Sequence, residues 1–373
     1  MNMGDDKMPP VSLLIKPVSG LCNMACKYCF YADVMDNRQT PYYGKMNEET
    51  LDMLVRKVFL YAEKSASFAF QGGEPTLAGI AFYEKLIELQ EKYNVKGIRV
   101  FNSIQTNGYE LDRAWANFFK KHNFLVGLSM DGYRELHDSL RVDRKNCGTY
   151  TKVERAAKLM ADVGVDFNIL TVVNNFVARY PRRVFEHLKK YQYLQFIPCI
   201  DSFDGEKEKY SLSIERYTKF LKETFDCYYE NIMKDNYVSV RNFDNYIGIL
   251  LGRRPENCAM NGRCAPYFLI EGDGSVYPCD FYVLDKWKIG NIVEDSFESL
   301  GSSEVMQNFI SESCHIDEKC RECEWGFLCR GGCKRDREPI IDGIPGKNRY
   351  CECYQEFFKY AYSRMIKIAD SLR

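Results

Sequence analysis

The chain has 373 residues, 46% of them hydrophobic, enough to bury one large domain or two ordinary ones. Its 51 basic residues balance 52 acidic ones, so no global field points to nucleic acid or to an anionic membrane surface. The first residues, MNMGDDKMPPVSLLIKP, carry acids where a secretion signal needs cations, and no later run reaches the roughly eighteen apolar residues of a membrane span. The expected compartment is the cytoplasm, with neither nucleic acid nor membrane as partner.

In a reducing compartment 16 cysteines at short, clustered spacings point to metal rather than to disulfides. Only four histidines are present (His122, His137, His187 and His315), which leaves little for mixed sites. All-thiolate sites, iron–sulfur or zinc, are therefore expected.

The first strand candidate is VSLLIKP, followed by the loop CNMACKYC. Its Cys22, Cys26 and Cys29 can supply three ligands of a 4Fe-4S cube and leave one iron open. The helical pattern NEETLDMLVRKVFLYAEK comes next, with Asn47 as its N-cap. SFAFQ then runs into QGGEPT, whose glycines allow close backbone approach to a ligand and whose carboxylate could accept from an ammonium. A helix over FYEKLIELQEKY, the strand IRVFNSIQT with QTNG, and the strand FLVGLS with SMDG follow. VDFNILTVV and YLQFIPC complete six βα units. The polar and glycine-rich motifs each fall after a strand, so they converge on one rim of a barrel.

The helical stretch SIERYTKFLKETFDCYYENIMK closes this region, and after about residue 236 short segments rich in Cys, Gly and charge replace the βα rhythm. Such a domain folds around metal rather than around a large core. The expected architecture is an α/β partial (β/α)6 TIM-like barrel over residues 8–235, then a small cysteine-rich domain over 236–373 ending in a helix from Tyr354 to Leu372.

The CxxxCxxC spacing, with Tyr28 before its last cysteine, resembles the radical S-adenosylmethionine superfamily. In that superfamily the amino and carboxylate groups of the cofactor's methionine chelate the open iron. The resemblance implies that Gly72, Gly73, Glu74 and Pro75 hold the methionine amino group. It places Tyr28 and Ser129 among the cofactor contacts; Asn107 and Ser129 could equally be turn residues.

The C-terminal cysteines resemble the SPASM extension of radical enzymes that modify peptides. Two, five and three residues separate Cys320, Cys323, Cys329 and Cys333, while nine lie between Cys264 and Gly274 and four between Gly274 and Cys279. The resemblance implies two further 4Fe-4S clusters, one on Cys258, Cys264, Cys279 and Cys333 and the other on Cys320, Cys323, Cys329 and Cys351, three in all. Cys147, Cys199, Cys227, Cys314 and Cys353 remain, most of them expected as buried small hydrophobes.

With Asp280 directly after Cys279, GSVYPCDFYVLDKWKIGN is similar to the anaerobic sulfatase-maturating enzymes. What this implies is a deoxyadenosyl radical that takes a hydrogen from the β-carbon of a Cys or Ser in the C/S-x-P-x-R motif of an unfolded sulfatase, yielding formylglycine. Asp280 is implied as the base, Tyr31 and Gln71 as substrate contacts, and a flavodoxin or ferredoxin as reductant. Phe281 stands where some members have histidine, and the serine or cysteine preference stays open. Two alternatives remain at this point: a thioether-forming SPASM maturase and a non-enzymatic zinc-binding adaptor.

Overall fold

The computed structural model describes residues 10–203 and 209–373. All six expected strands form: β1 (Val11–Ile15), β2 (Ser65–Phe70), β3 (Arg99–Thr106), β4 (Leu125–Ser129), β5 (Phe167–Val173) and β6 (Tyr193–Pro198). Each pairs in parallel with the next, in sequence order. The sheet then continues on both sides. β7 (Ser239–Val240) lies parallel to β6, and β8 (Phe268–Ile270) lies parallel to β1. β9 (Ser275–Tyr277) and β10 (Gly290–Asn291) extend it in antiparallel fashion, giving ten strands in the order β10-β9-β8-β1-β2-β3-β4-β5-β6-β7.

Side chains alternate along these strands with period two. Phe68 and Phe70 of β2, Ile104 of β3, Val126 and Leu128 of β4, Ile169 of β5 and Phe196 of β6 are buried in the main apolar core. The intervening Ala69, Ser103, Gln105, Gly127, Ser129, Leu170, Val172 and Gln195 line a cavity of about 370 Å³ inside the barrel. Small and polar residues on this inner face leave room that Val, Ile and Leu would fill.

The helix Glu48–Tyr61 begins where expected, with Asn47 accepting a hydrogen bond from the Thr50 amide at 2.8 Å. The last helix is one turn longer at its start than the expected Tyr354: it runs Cys351–Ser371, so Cys351 is its first residue. It packs along Ile214–Ile232, with Phe357 against Phe225 at 5.8 Å between centroids. Of the five cysteines left unassigned, Cys199, Cys227 and Cys353 are buried, whereas Cys147 and Cys314 are exposed.

Candidate active site

Cys22, Cys26 and Cys29 line one wall of the barrel cavity, together with Tyr28 and Tyr31. Two glycines let the β2 loop reach them. Gly73 has φ +58°, and a Cβ there would stand 2.2 Å from the carbonyl oxygen of Leu21. Gly72 has φ +102°, and a Cβ there would strike the Lys16 stem. The Glu74 amide consequently donates to Leu21 O at 2.8 Å, tying the two loops together.

The Glu74 carboxylate is buried and accepts from Thr76 N, Thr76 Oγ1, Thr106 Oγ1 and Asn107 N. Gly72 and Gly73 line the cavity, and Glu74 links the loops after β2 and β3. Asn107 donates to Asn23 Oδ1 at 2.9 Å and toward Cys22 Sγ, bracing the cysteine loop. Ser129 Oγ faces the cavity and accepts from Gln105 Nε2 at 3.0 Å.

Arg141 and Asp131 were not singled out in the sequence. Arg141 Nε donates to Asp131 Oδ2 at 3.0 Å, its Nη1 approaches Cys26 Sγ at 3.8 Å, and the Tyr28 hydroxyl donates to the same aspartate oxygen. Asp131 lies inside the SMDG motif, which was the available signal. Its amide donates to His137 Nδ1, leaving Nε2–H for Thr149 Oγ1 at 3.0 Å.

A second set meets at Asp280, whose partners Tyr31 and Gln71 line the cavity. Oδ2 accepts from the Tyr31 hydroxyl at 2.7 Å and from Gln71 Nε2 at 3.1 Å, and Gln71 also donates to Tyr31 at 2.8 Å. Oδ1 is buried with no hydrogen-bond partner and lies 4.0 Å from Lys16 Nζ. Burial pushes the Asp280 carboxyl above its usual range, against the pull of Lys16 and Tyr31. Lys16 also pairs with Glu271 at 3.2 Å, and Arg38 reaches the same Glu271 oxygen at 2.8 Å. Burial works to raise Glu271, but Lys16 and Arg38 outweigh it and leave this carboxyl below its ordinary value. Lys16, Arg38 and Glu271 went unnoticed in the sequence because nothing local marks them.

The remaining thiols gather in two sets. Burial and then the charges of Cys333, Cys264 and Cys258 raise Cys279. Cys333 likewise feels Cys258 and Cys264 after burial and Asp336. Burial lifts Cys329 to about 11, with Cys351, Cys320 and Cys323 adding to it. Those four also line a small cavity of their own. In the first loop, burial raises Cys22 to about 11 and Cys26 to about 12, and each also feels Cys29.

A bound metal supplies the positive charge that would hold such buried thiols as thiolates. Among the described residues no three Cys, His, Asp or Glu side chains close on one point as a single ion requires.

Two family models match the chain: the Radical SAM superfamily over residues 17–188 and the SPASM iron-sulfur cluster-binding domain over 258–324. Fold, cavity and cysteine sets thus define a radical S-adenosylmethionine enzyme with a SPASM extension. A cysteine-type anaerobic sulfatase-maturating enzyme of Clostridium perfringens is 47% identical over 370 residues, covering 98% of this chain and 100% of the relative. A serine-type enzyme of Bacteroides thetaiotaomicron is 30% identical over 372 residues, covering 94% and 89%. The solved structure of native anSMEcpe with bound AdoMet and Cp18Cys peptide aligns with a TM-score of 0.94 at 46% identity, over 98% of this chain and 100% of that one. The chain belongs to the anaerobic sulfatase-maturating enzymes. That membership sets aside both the zinc adaptor and the thioether maturase. No described helix is long and apolar enough to cross a membrane.

Proposed function

We propose that this enzyme oxidises a cysteine in the C-x-P-x-R motif of an unfolded sulfatase to formylglycine. The observation that carries the reading is the Asp280 constellation, a buried carboxylate directly after Cys279 that is held by two cavity-lining side chains, Tyr31 and Gln71. Cysteine is preferred to serine because the cysteine-type relatives are 44 to 47% identical to this chain and the serine-type ones 30%.

Cys22, Cys26 and Cys29 would hold the cluster that meets S-adenosylmethionine. Cys258, Cys264, Cys279 and Cys333 would hold an inner auxiliary cluster, and Cys320, Cys323, Cys329 and Cys351 an outer one. When bound, these groups supply a deoxyadenosyl radical and a route for single electrons. Gly72 and Gly73 give the methionine moiety close backbone access, while Tyr28, Arg141 and Ser129 shape the rest of its wall.

Tyr31 and Gln71 hold Asp280 through Oδ2, orienting the carboxylate that takes the substrate thiol proton. Balance requires that one hydrogen atom pass from the substrate β-carbon to the deoxyadenosyl radical and one proton to Asp280, and the group that Cys279 would help hold would supply the acceptor for the one remaining electron. The resulting thioaldehyde hydrolyses to the aldehyde with loss of hydrogen sulfide, so atoms and electrons balance. A flavodoxin or ferredoxin supplies the electron that starts each turnover.

The test is anaerobic incubation of the iron-reconstituted protein with S-adenosylmethionine, dithionite and matched peptides bearing Cys-x-Pro-x-Arg or Ser-x-Pro-x-Arg, read by mass spectrometry. An aldehyde at the target cysteine, with deoxyadenosine, is expected. Deoxyadenosine without any peptide change overturns the substrate assignment.

A further inference from the structure

The segment after the helix Arg134–Leu140 lies across the cysteine loop. Met24 bridges Asp143 in antiparallel fashion, the Ala25 amide donates to Val142 O at 2.8 Å, and the Lys27 amide donates to Leu140 O at 3.0 Å. Exposed Arg144 donates through Nε to the carbonyl oxygen of Cys22 at 2.9 Å. A solvent-facing cation thus touches the backbone of a residue assigned to the first cluster.

Three more exposed cations surround it. Lys145 follows in the chain, Lys27 donates to Ser139 O at 2.9 Å, and Lys152 stands 3.4 Å from the centroid of the Tyr109 ring. Tyr109 in turn donates to Asp143 at 2.9 Å, which brings Lys152 to the same face. The N–H groups of Lys27 and Arg144 go to carbonyl oxygens and Lys152 sits on a ring, so no directly bonded carboxylate cancels their charge. Asp143, which lies in the field of Lys152, is engaged by Tyr109 and by the amides of Lys145 and Cys147, and Asp33 and Asp36 line a cavity beside Lys27. In a chain of formal charge −1 this concentration is local. None of the four cations lines the barrel cavity.

We infer that this face docks an acidic low-potential electron-carrier protein, of flavodoxin or ferredoxin type, which passes one electron to the group held by Cys22, Cys26 and Cys29 and is itself oxidised by one electron. The inference rests on the reading of that loop as a cluster site. Electron-transfer encounters use small interfaces, and opposite charge raises their association rate more than their final affinity. A patch of cations touching the ligand loop supplies both the steering and a short path.

The experiment compares the holoenzyme with its Lys145→Glu, Lys152→Glu double variant. Deoxyadenosine formation is driven in separate arms by an acidic flavodoxin, an acidic ferredoxin and dithionite, and carrier binding is titrated directly at low salt and at about 300 mM salt, where screening is strong. Wild-type binding and carrier-driven rate should fall about tenfold across that salt range. The double variant should lose about as much at low salt, while its dithionite rate matches wild type. Which carrier arm responds identifies the partner.

Carrier binding and rate insensitive to both salt and charge reversal overturn the docking face. The milder Lys145→Gln, Lys152→Gln pair covers a double variant that misfolds, and it should shift both readouts in the same direction. Failure of the wild-type dithionite arm would instead strike the cluster reading itself.

Discussion

Asp280 has two oxygens in different circumstances. Oδ2 is held by Tyr31 and Gln71, and Oδ1 is buried without a hydrogen bond. An Asp280→Asn substitution keeps the shape and the acceptor for Gln71 but cannot take a proton. Formylglycine formation should drop by about 10²- to 10⁴-fold, the usual worth of a positioned base. Deoxyadenosine release without peptide should stay near the wild-type level. A normal peptide rate in the variant would remove Asp280 from the base role.

Asp280 was singled out in the sequence through the family resemblance of the segment around Cys279. Lys16, Arg38 and Glu271 were not, since their ion pairs join distant parts of the chain in a buried contact. Glu74 was legible as a motif residue, but the direction of its carboxylate was not. Only the fold shows that Thr76, Thr106 and Asn107 satisfy it.

At the scale of elements, the glycine pair after β2 decides whether the cysteine loop can assemble. Gly73→Ala places a Cβ 2.2 Å from backbone oxygen at a positive φ, so the loop must move. The variant should take up less iron and sulfide per chain on reconstitution, with the deficit confined to about one cluster's worth. Full loading, by metal analysis and visible absorbance, would mean that the close approach is dispensable.

The helix Cys351–Ser371 is an element of another kind, held by an apolar face. Phe357 is fully buried among Phe225, Phe243 and Tyr246. Phe357→Ala should cost about 3–5 kcal/mol, measured as a lower urea midpoint of the loaded protein. Its helical periodicity was plain in the sequence. Its first turn was not, because Cys351 looks like a loop ligand until the chain is seen to enter the helix there.

For the molecule as a whole, pH acts through groups that folding keeps in one protonation state. His137 is buried, and burial followed by the Arg141 charge holds its pKa well below that of a free imidazole. Below about pH 6.5 the unfolded chain binds a proton that the folded ring refuses, so stability falls as pH drops. The slope contributed is at most about 1.4 kcal/mol per pH unit. Anaerobic melts from pH 7.5 to 5.5 should show it, and His137→Gln should flatten it. An unchanged slope would mean that the ring charges within the fold.

Strand periodicity and glycine-rich loops marked the six-stranded barrel and cysteine spacing marked thiolate sites from the sequence alone, because each is a local pattern with a local physical cause, while the chemistry class followed from the family resemblance those motifs carry. Tertiary structure alone decided that β8 returns to pair with β1 and that β9 and β10 extend the same sheet. That return carries Asp280 to Tyr31 and Gln71 and joins Cys333 to Cys279. Such meetings depend on where the chain crosses itself, and a linear pattern holds no record of that geometry.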